Sequence, residues 1–167
     1  MHPLFHPLYV DYCTYFNGNQ DYFECHEVLE EYWKLISPGD KAHPLVGYVQ
    51  LATGMYHWRR NNTAGAMKIL KKATNNFSNN HSSPFFEFLD YDELYNHCET
   101  SIISIEKGEK FKPFSLTFTN EDFAALVNQK IGELPTIPYD YLLNKHMLRD
   151  RTDILEARNE KRRRGGR

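Results

Sequence analysis

An all-α fold is predicted, with antiparallel helical hairpins packed around one buried helix at about residues 45–60. Three observations carry it. The stretch Leu45 to Arg60, LVGYVQLATGMYHWRR, is apolar on nearly every side of a helix, which marks a segment enclosed by neighbours rather than lying on a surface. Apolar residues elsewhere recur every three or four positions, the helical period. The breaks between these segments are short and rich in Gly, Asn, Pro and Ser, as hairpin connections between helices require. One thin line interrupts the apolar surface of the central helix. Val46, Gln50, Thr53, His57 and Arg60 share a face, and most of it is polar. Gly47 and Gly54 lie beside that line, where a partner backbone can come close. A polar stripe on a buried helix needs groups that satisfy it.

The elements follow in order. Residues 7–17 form a short helix with Pro7 at its first position and Leu8, Tyr12, Tyr15 and Phe16 on its apolar face. Asn17-Gly18-Asn19 closes it with residues that tolerate positive φ. A second helix spans about 21–36, with Tyr22, Cys25, His26, Leu29, Tyr32, Trp33 and Ile36 on one broad face; Ser37-Pro38-Gly39-Asp40 stops it. The central helix ends at Asn61-Asn62. Thr63 is the expected cap of a fourth helix, whose inner face is Ala66, Leu70, Ala73 and Phe77. Residues 78–84 read as a loop and Phe85, Phe86, Phe88 and Leu89 as an apolar plug. Asp90 followed by Glu93 opens a fifth helix that closes at Gly108. Residues 111–118 are expected to be extended, with Pro113 arguing against a central strand. Thr119 or Asn120 caps a sixth helix through Phe123, Leu126, Val127 and Ile131. Beyond Tyr139 the chain is helical by propensity and ends in a basic tail. A faint internal similarity, YFNGN leading to Cys25, Leu29 and Tyr32 against HWRRNN leading to Ala66, Leu70 and Ala73, suggests TPR-like pairing of helices.

The 167 residues suit a single domain, with residues 1–110 as a helical core and 111–167 as a C-terminal extension packed on it. No apolar run is long enough to span a bilayer, and the N-terminus lacks the pattern of a secretory signal. No membrane partner is expected. Cys13, Cys25 and Cys98 are odd in number and form no CxxC, so they read as reduced core thiols of a cytoplasmic protein. The formal charge of −2 conceals an asymmetry. Residues 141–167 hold nine Lys or Arg and four Asp or Glu, leaving 11 and 18 for the rest. An acidic body thus carries a basic tail, which can meet nucleic acid or fold back on the body.

The polar groups of the second helix form HEVLE. His26 and Glu30 lie about 40° apart at about 100° per residue, so both are expected to face the central helix, where Gln50, Thr53 and His57 match them. Glu27 is further round. Three readings fit this set. In one, His26, Glu30 and His57 hold a divalent metal and Glu27 is the base of a hydrolase, a pattern resembling HExxH zinc enzymes with the second His replaced by Glu. In a second, the same groups are a hydrogen-bonded cluster that fixes the packing of the two helices, and in a third they line a metal-free pocket with Trp33, Gln50, Thr53 and Arg60 for a small or anionic ligand. The histidines beside prolines or in loops, His2, His6, His43 and His81, read as solvated, and Arg59 as a cation favouring a helix C-terminus.

The run YFECHEVLEEYW, then VGYVQLATGMYHWRRNN, then AGAMKILKKA resembles the bacterial and archaeal family called domain of unknown function 309. The resemblance covers about residues 9–77. It implies a compact all-helical domain and no particular activity. Its polar motif residues fall here on His26, Glu27, Glu30, Trp33, Gln50, His57 and Arg60. Three functions are therefore carried forward: a binding module for a protein partner, a metal-dependent hydrolase, and a nucleic-acid-associated protein acting through its tail.

Overall fold

The structure is a computed structural model that describes residues 1–145. Among those residues it is all-helical: α1 (Pro7–Asn17), α2 (Tyr22–Ile36), α3 (Pro44–Arg59), α4 (Thr63–Asn79), α5 (Tyr91–Glu106), α6 (Glu121–Gly132) and α7 (Tyr139–Leu143), with 3-10 turns at Pro3–Phe5 and Pro84–Phe86. Each of the first four helices packs on the next, and α6 returns to pack on α1. The basic residues beyond 145 that suggested nucleic acid lie outside the described residues.

The central helix is α3, held between α2 and α4. Eleven of its 16 residues are buried. The others are Val46, Val49, Gln50, Thr53 and His57, so the polar stripe is the half-buried line of an otherwise enclosed helix. The two glycines explain how closely α4 approaches. A Cβ on Gly47 would stand 2.4 Å from the Asn76 side chain, and one on Gly54 would stand 2.5 Å from Leu70. Tyr48 ties α3 to the N-terminal part of the chain. The Tyr12 hydroxyl donates to the Tyr48 carbonyl at 2.7 Å, Tyr9 donates to the Tyr48 hydroxyl at 3.1 Å, and that hydroxyl donates to the Phe85 carbonyl at 2.7 Å. Three buried phenols are thereby satisfied by one another and by backbone, as buried polar groups must be.

Residues 111–118 run outside any helix. Leu89 and Phe118 form an isolated antiparallel bridge, and Asn17 grips Leu116 through both its amide and its carbonyl group. Phe111 packs on Tyr22 and Trp58, and Phe114 on Phe16, so this segment covers the α1–α2 corner.

Several local expectations change. Asn62, not Thr63, caps α4, accepting from the Gly65 amide at 3.2 Å. Helix α4 continues to Asn79, into the stretch read as a loop. The left-handed residue of the α1–α2 turn is Gln20 at φ 57°, whereas Gly18 sits at φ −82° and serves by its missing side chain, since a Cβ would meet the Thr14 carbonyl at 2.6 Å. The largest revision concerns the histidines. His2, His6 and His43 each precede Pro-Leu, and each Nδ1 accepts the Leu amide two residues on at 3.1 Å. They are N-caps, not solvated side chains. Their rings also pack on aromatic neighbours: His2 on Phe88, His6 on Tyr32 and His43 on Phe85. Proline at the first position of each element wastes no donor, and the imidazole takes one of the next.

An imidazole accepts at Nδ1 only when that nitrogen carries no proton. Burial lowers the His43 pKa below its usual value, with Asp40 opposing. The lowered folded value means that the stability contributed by neutral His43 is present above the unfolded value of about 6.5 and is lost as pH falls through the folded value. The expected outcome is that the urea midpoint drops between pH 7.5 and 5.5. His43→Ser keeps a cap oxygen without a titration, so its drop is smaller; an identical drop in both proteins refutes the role of this cap.

Candidate functional site

Helix α2 presents a chain of polar and charged groups along its outer side. His26 Nε2 is 3.2 Å from Glu30 Oε2, His26 Nδ1 is 3.3 Å from Glu27 Oε1, and Glu30 Oε1 is 2.9 Å from Lys34 Nζ. All are partly exposed, so each pair contributes only a few tenths of a kcal/mol, about 0.3–0.5. Opposite, on α3, His57 Nδ1 accepts the Asn62 side-chain amide at 3.3 Å rather than a carboxylate. Burial, and then the nearby Arg60, lowers the His57 pKa, so this ring is neutral near pH 7. Arg60 stacks over Tyr56, its Cζ 5.5 Å from the ring centre.

His26, Thr53 and His57 do come together. With Tyr22, Phe23 and Tyr56 they line one hollow of about 160 Å³ between α2 and α3, walled mostly by carbon. Glu27 and Glu30 lie outside it, along a furrow on α2 that also includes Glu24 and Glu31. Gln50 lies apart from the hollow. It faces α4 and lines a second depression of about 380 Å³ with Lys41, Lys72, Asn75, Asn76 and Asn79. Trp33 is also elsewhere: its indole N–H donates to the Asp40 carbonyl at 2.9 Å and fastens the α2–α3 loop. Among the described residues no three His, Cys, Asp or Glu side chains come close enough to share a metal ion. His26, Glu30 and His57 therefore form no ligand set as they stand, His57 facing Asn62 and Glu30 facing Lys34.

Two buried cations, Arg59 and Lys145, differ from the sequence reading, which places Arg59 at a helix end and Lys145 in a solvated or phosphate-binding charge run. Arg59 is 6% exposed. Its Nη1 donates to the Gln20 carbonyl at 2.8 Å and its Nη2 to the Leu142 carbonyl at 3.3 Å, while its guanidinium lies 4.8 Å from the centre of the Tyr22 ring. Beside it, Lys145 Nζ lies 2.6 Å from Asp21 Oδ2 and 3.1 Å from Glu24 Oε1. Asp21 is the N-cap of α2 and only 1% exposed, accepting from the Glu24 amide at 3.2 Å. Burial works against the Lys145 charge, but hydrogen bonds and charge attraction from Asp21, then Glu24, raise its pKa overall. This ion pair therefore holds below the unfolded lysine value and weakens as pH rises through the raised folded value. The available signal was the cap pattern at Asp21 with Glu24, two carboxylates at a helix start that leave room for a cation. Lys145 stands 124 residues away, and nothing local announces it.

Fold and site together define a class: a small all-helical protein whose two motif-bearing helices enclose a narrow apolar groove with polar lips. No helix among the described residues is long and apolar enough to cross a membrane. The chain belongs to the family described as domain of unknown function (DUF309), whose model matches residues 9–69. It is 32% identical over 164 residues to the uncharacterised protein YpuF of Bacillus subtilis (strain 168), and the match covers 94% of each chain. No solved structure matches.

Two measurements check this geometry. In a double-mutant cycle, His26→Ala and Glu30→Gln are expected to couple by about 0.3–0.5 kcal/mol, while Glu30→Gln and His57→Ala add independently, since His57 bonds Asn62 instead. Coupling of Glu30 with His57 above about 0.5 kcal/mol would show that they touch. Lys145→Ala strands the buried Asp21 carboxylate and is expected to cost about 3–5 kcal/mol of unfolding free energy at pH 7. A change below about 1 kcal/mol in urea unfolding contradicts the buried pair.

Proposed function

We propose that this chain is a non-enzymatic helical binding module, and that the groove between α2 and α3 grips one large apolar or aromatic side chain of a protein partner. The hollow lined by Tyr22, Phe23, His26, Thr53, Tyr56 and His57 carries this reading. Its size, about 160 Å³, favours a single side chain. Sites for cofactors and drug-sized ligands are usually about 300–1,000 Å³. A carbon-walled socket bordered by polar groups is also how interfaces seat their anchor residues. His57 suits such a wall because burial keeps it neutral.

The His26–Glu30–Lys34 chain stands at the lip and supplies orientation through exposed polar groups. Residues 1–110 act in this reading as the core that builds the groove, with 111–167 packed upon it. Three buried free cysteines support a reducing, cytoplasmic setting.

Side-chain analogues test it directly. p-Cresol and indole, titrated at millimolar concentration, are expected to shift the NMR signals of Phe23, His26, Thr53, Tyr56 and His57. Thr53→Trp, which fills the hollow from within, abolishes the shifts while α4 and α5 signals stay in place. Absence of specific shifts up to the solubility limit overturns the reading.

A further inference from the structure

The α3–α4 pair differs in charge from the body that carries it. Residues 41–86 hold six Lys or Arg and no Asp or Glu, whereas all 18 acidic residues of the first 140 lie outside that stretch. The depression of about 380 Å³ opens on this pair, between the start of α3 and the second half of α4. Lys41 borders it from the loop before α3 and Lys72 from α4, and the rest of its polar lining is carboxamide. We propose that this depression binds a small phosphorylated polyol, a sugar phosphate in kind, with the two lysines on the phosphate and the amides on the hydroxyls. The site stands apart from the α2–α3 groove and does not rest on it.

Its walls are fixed before any ligand arrives. Asn76, only 8% exposed, donates to the His43 carbonyl at 3.0 Å. Asn80 donates to the Ala42 carbonyl at 2.9 Å and to Asn76 Oδ1 at 3.3 Å. These two amides hold the loop that carries Lys41 against the helix that carries Lys72. Gly47 makes room for them, since a Cβ there would strike Asn76. Walls already in place spare a ligand the cost of ordering them.

Gln50 adds an unused acceptor. Its Oε1 is shut off from solvent, and no described group donates to it. A buried acceptor left without a donor is costly. The last torsion of a glutamine is broad, so a small turn of the amide meets an O–H seated in the depression. A fully ionised anion has no proton to give, whereas a polyol has several. Asn75 and Asn79 stand exposed on the α4 wall and offer the mixed donors and acceptors that further hydroxyls need.

Size and sign agree with this class. The volume falls within the range of about 300–1,000 Å³ usual for small-molecule sites and exceeds what one phosphate fills. No carboxylate lines the depression. Asp40, next to Lys41, is turned to its own loop, where it accepts from the Ala42 amide at 3.1 Å and the Ser37 hydroxyl at 3.4 Å. Lysine meets phosphate as a point charge on a flexible stem, which suits two cations on opposite walls of an open site.

The test titrates the full chain with ribose 5-phosphate, glucose 6-phosphate, ribose and inorganic phosphate, read by NMR at the side-chain amides. At least one sugar phosphate is expected to shift Gln50, Asn75 and Asn79 with a Kd of about 1 mM or tighter, and to spare Tyr56 and His57. Ribose and inorganic phosphate each bind at least about tenfold more weakly, because each makes only part of the contacts. Gln50→Leu puts carbon in place of an amide that has an unpartnered oxygen, so the fold tolerates it. It weakens the sugar phosphate about tenfold and leaves inorganic phosphate unchanged. Asn79→Ala, at an exposed position, is the second variant and is expected to act in the same direction. Lys41→Gln with Lys72→Gln removes binding of every phosphate. No shift from either sugar phosphate up to about 20 mM overturns the proposal. So does inorganic phosphate or ribose binding as tightly as the sugar phosphate, or an affinity that ignores both Gln50→Leu and Asn79→Ala.

Discussion

Helix α3 has no fully exposed side, and the rest of the structure is arranged to make that tolerable. A helix enclosed by neighbours must bring small residues where backbones crowd and hydrogen-bond partners where polar atoms are shut in. Gly47 and Gly54 meet the first demand by admitting Asn76 and Leu70 of α4. The linked hydroxyls of Tyr9 and Tyr48, ending on the Phe85 carbonyl, meet the second. What remains half-open is a single line of five residues. That line divides in two: Thr53 and His57 border the hollow against α2, whereas Gln50 turns to α4.

Electrostatics is unevenly shared between the two ends of α2. The outer chain of His26, Glu30 and Lys34 is wetted by solvent, so its pairs are weak and adjustable. The N-terminal end is different. There Asp21, Lys145 and Arg59 are almost shut off from water, and removing any one leaves a charge or its hydrogen-bond partners stranded. Arg59 also lies over the Tyr22 ring, a contact whose strength rises with desolvation to about 2 kcal/mol. Rigidity is thus concentrated where the C-terminal chain meets the α1–α2 corner, and pliability where the groove opens.

Much of this architecture was legible in the residues because its information is local. The boundaries of α1, α2, α3, α5 and α6, the enclosure of α3, the close approach at its glycines and the caps at Asp90 and Asn120 all follow from period and turn chemistry. The meeting of His26, Thr53 and His57 followed from face angles alone. Angles do not say which neighbour occupies which flank, and that is why Gln50 was assigned to the wrong partner and Trp33 to a pocket instead of a loop. Arg59 was misread because a cation at a helix end satisfies the local rule for capping, and its burial depends on Phe111 and Leu142, over 50 residues on. The histidine caps were missed for a chemical reason. Imidazole is not among the usual cap side chains, yet His-Pro-Leu places an unprotonated Nδ1 where serine would put its oxygen.

The pairing of Asp21 with Lys145 also sets an order of events during synthesis. The carboxylate emerges 124 residues before the ammonium that neutralises it. At about 5–20 residues per second, that interval is roughly 6–25 s. Throughout it the start of α2 holds an unmatched anion, which keeps water at the α1–α2 corner and the nascent bundle unlatched. The clasp can shut only after Lys145 has been translated, so the most deeply buried ion pair among the described residues waits on a partner made 124 positions later.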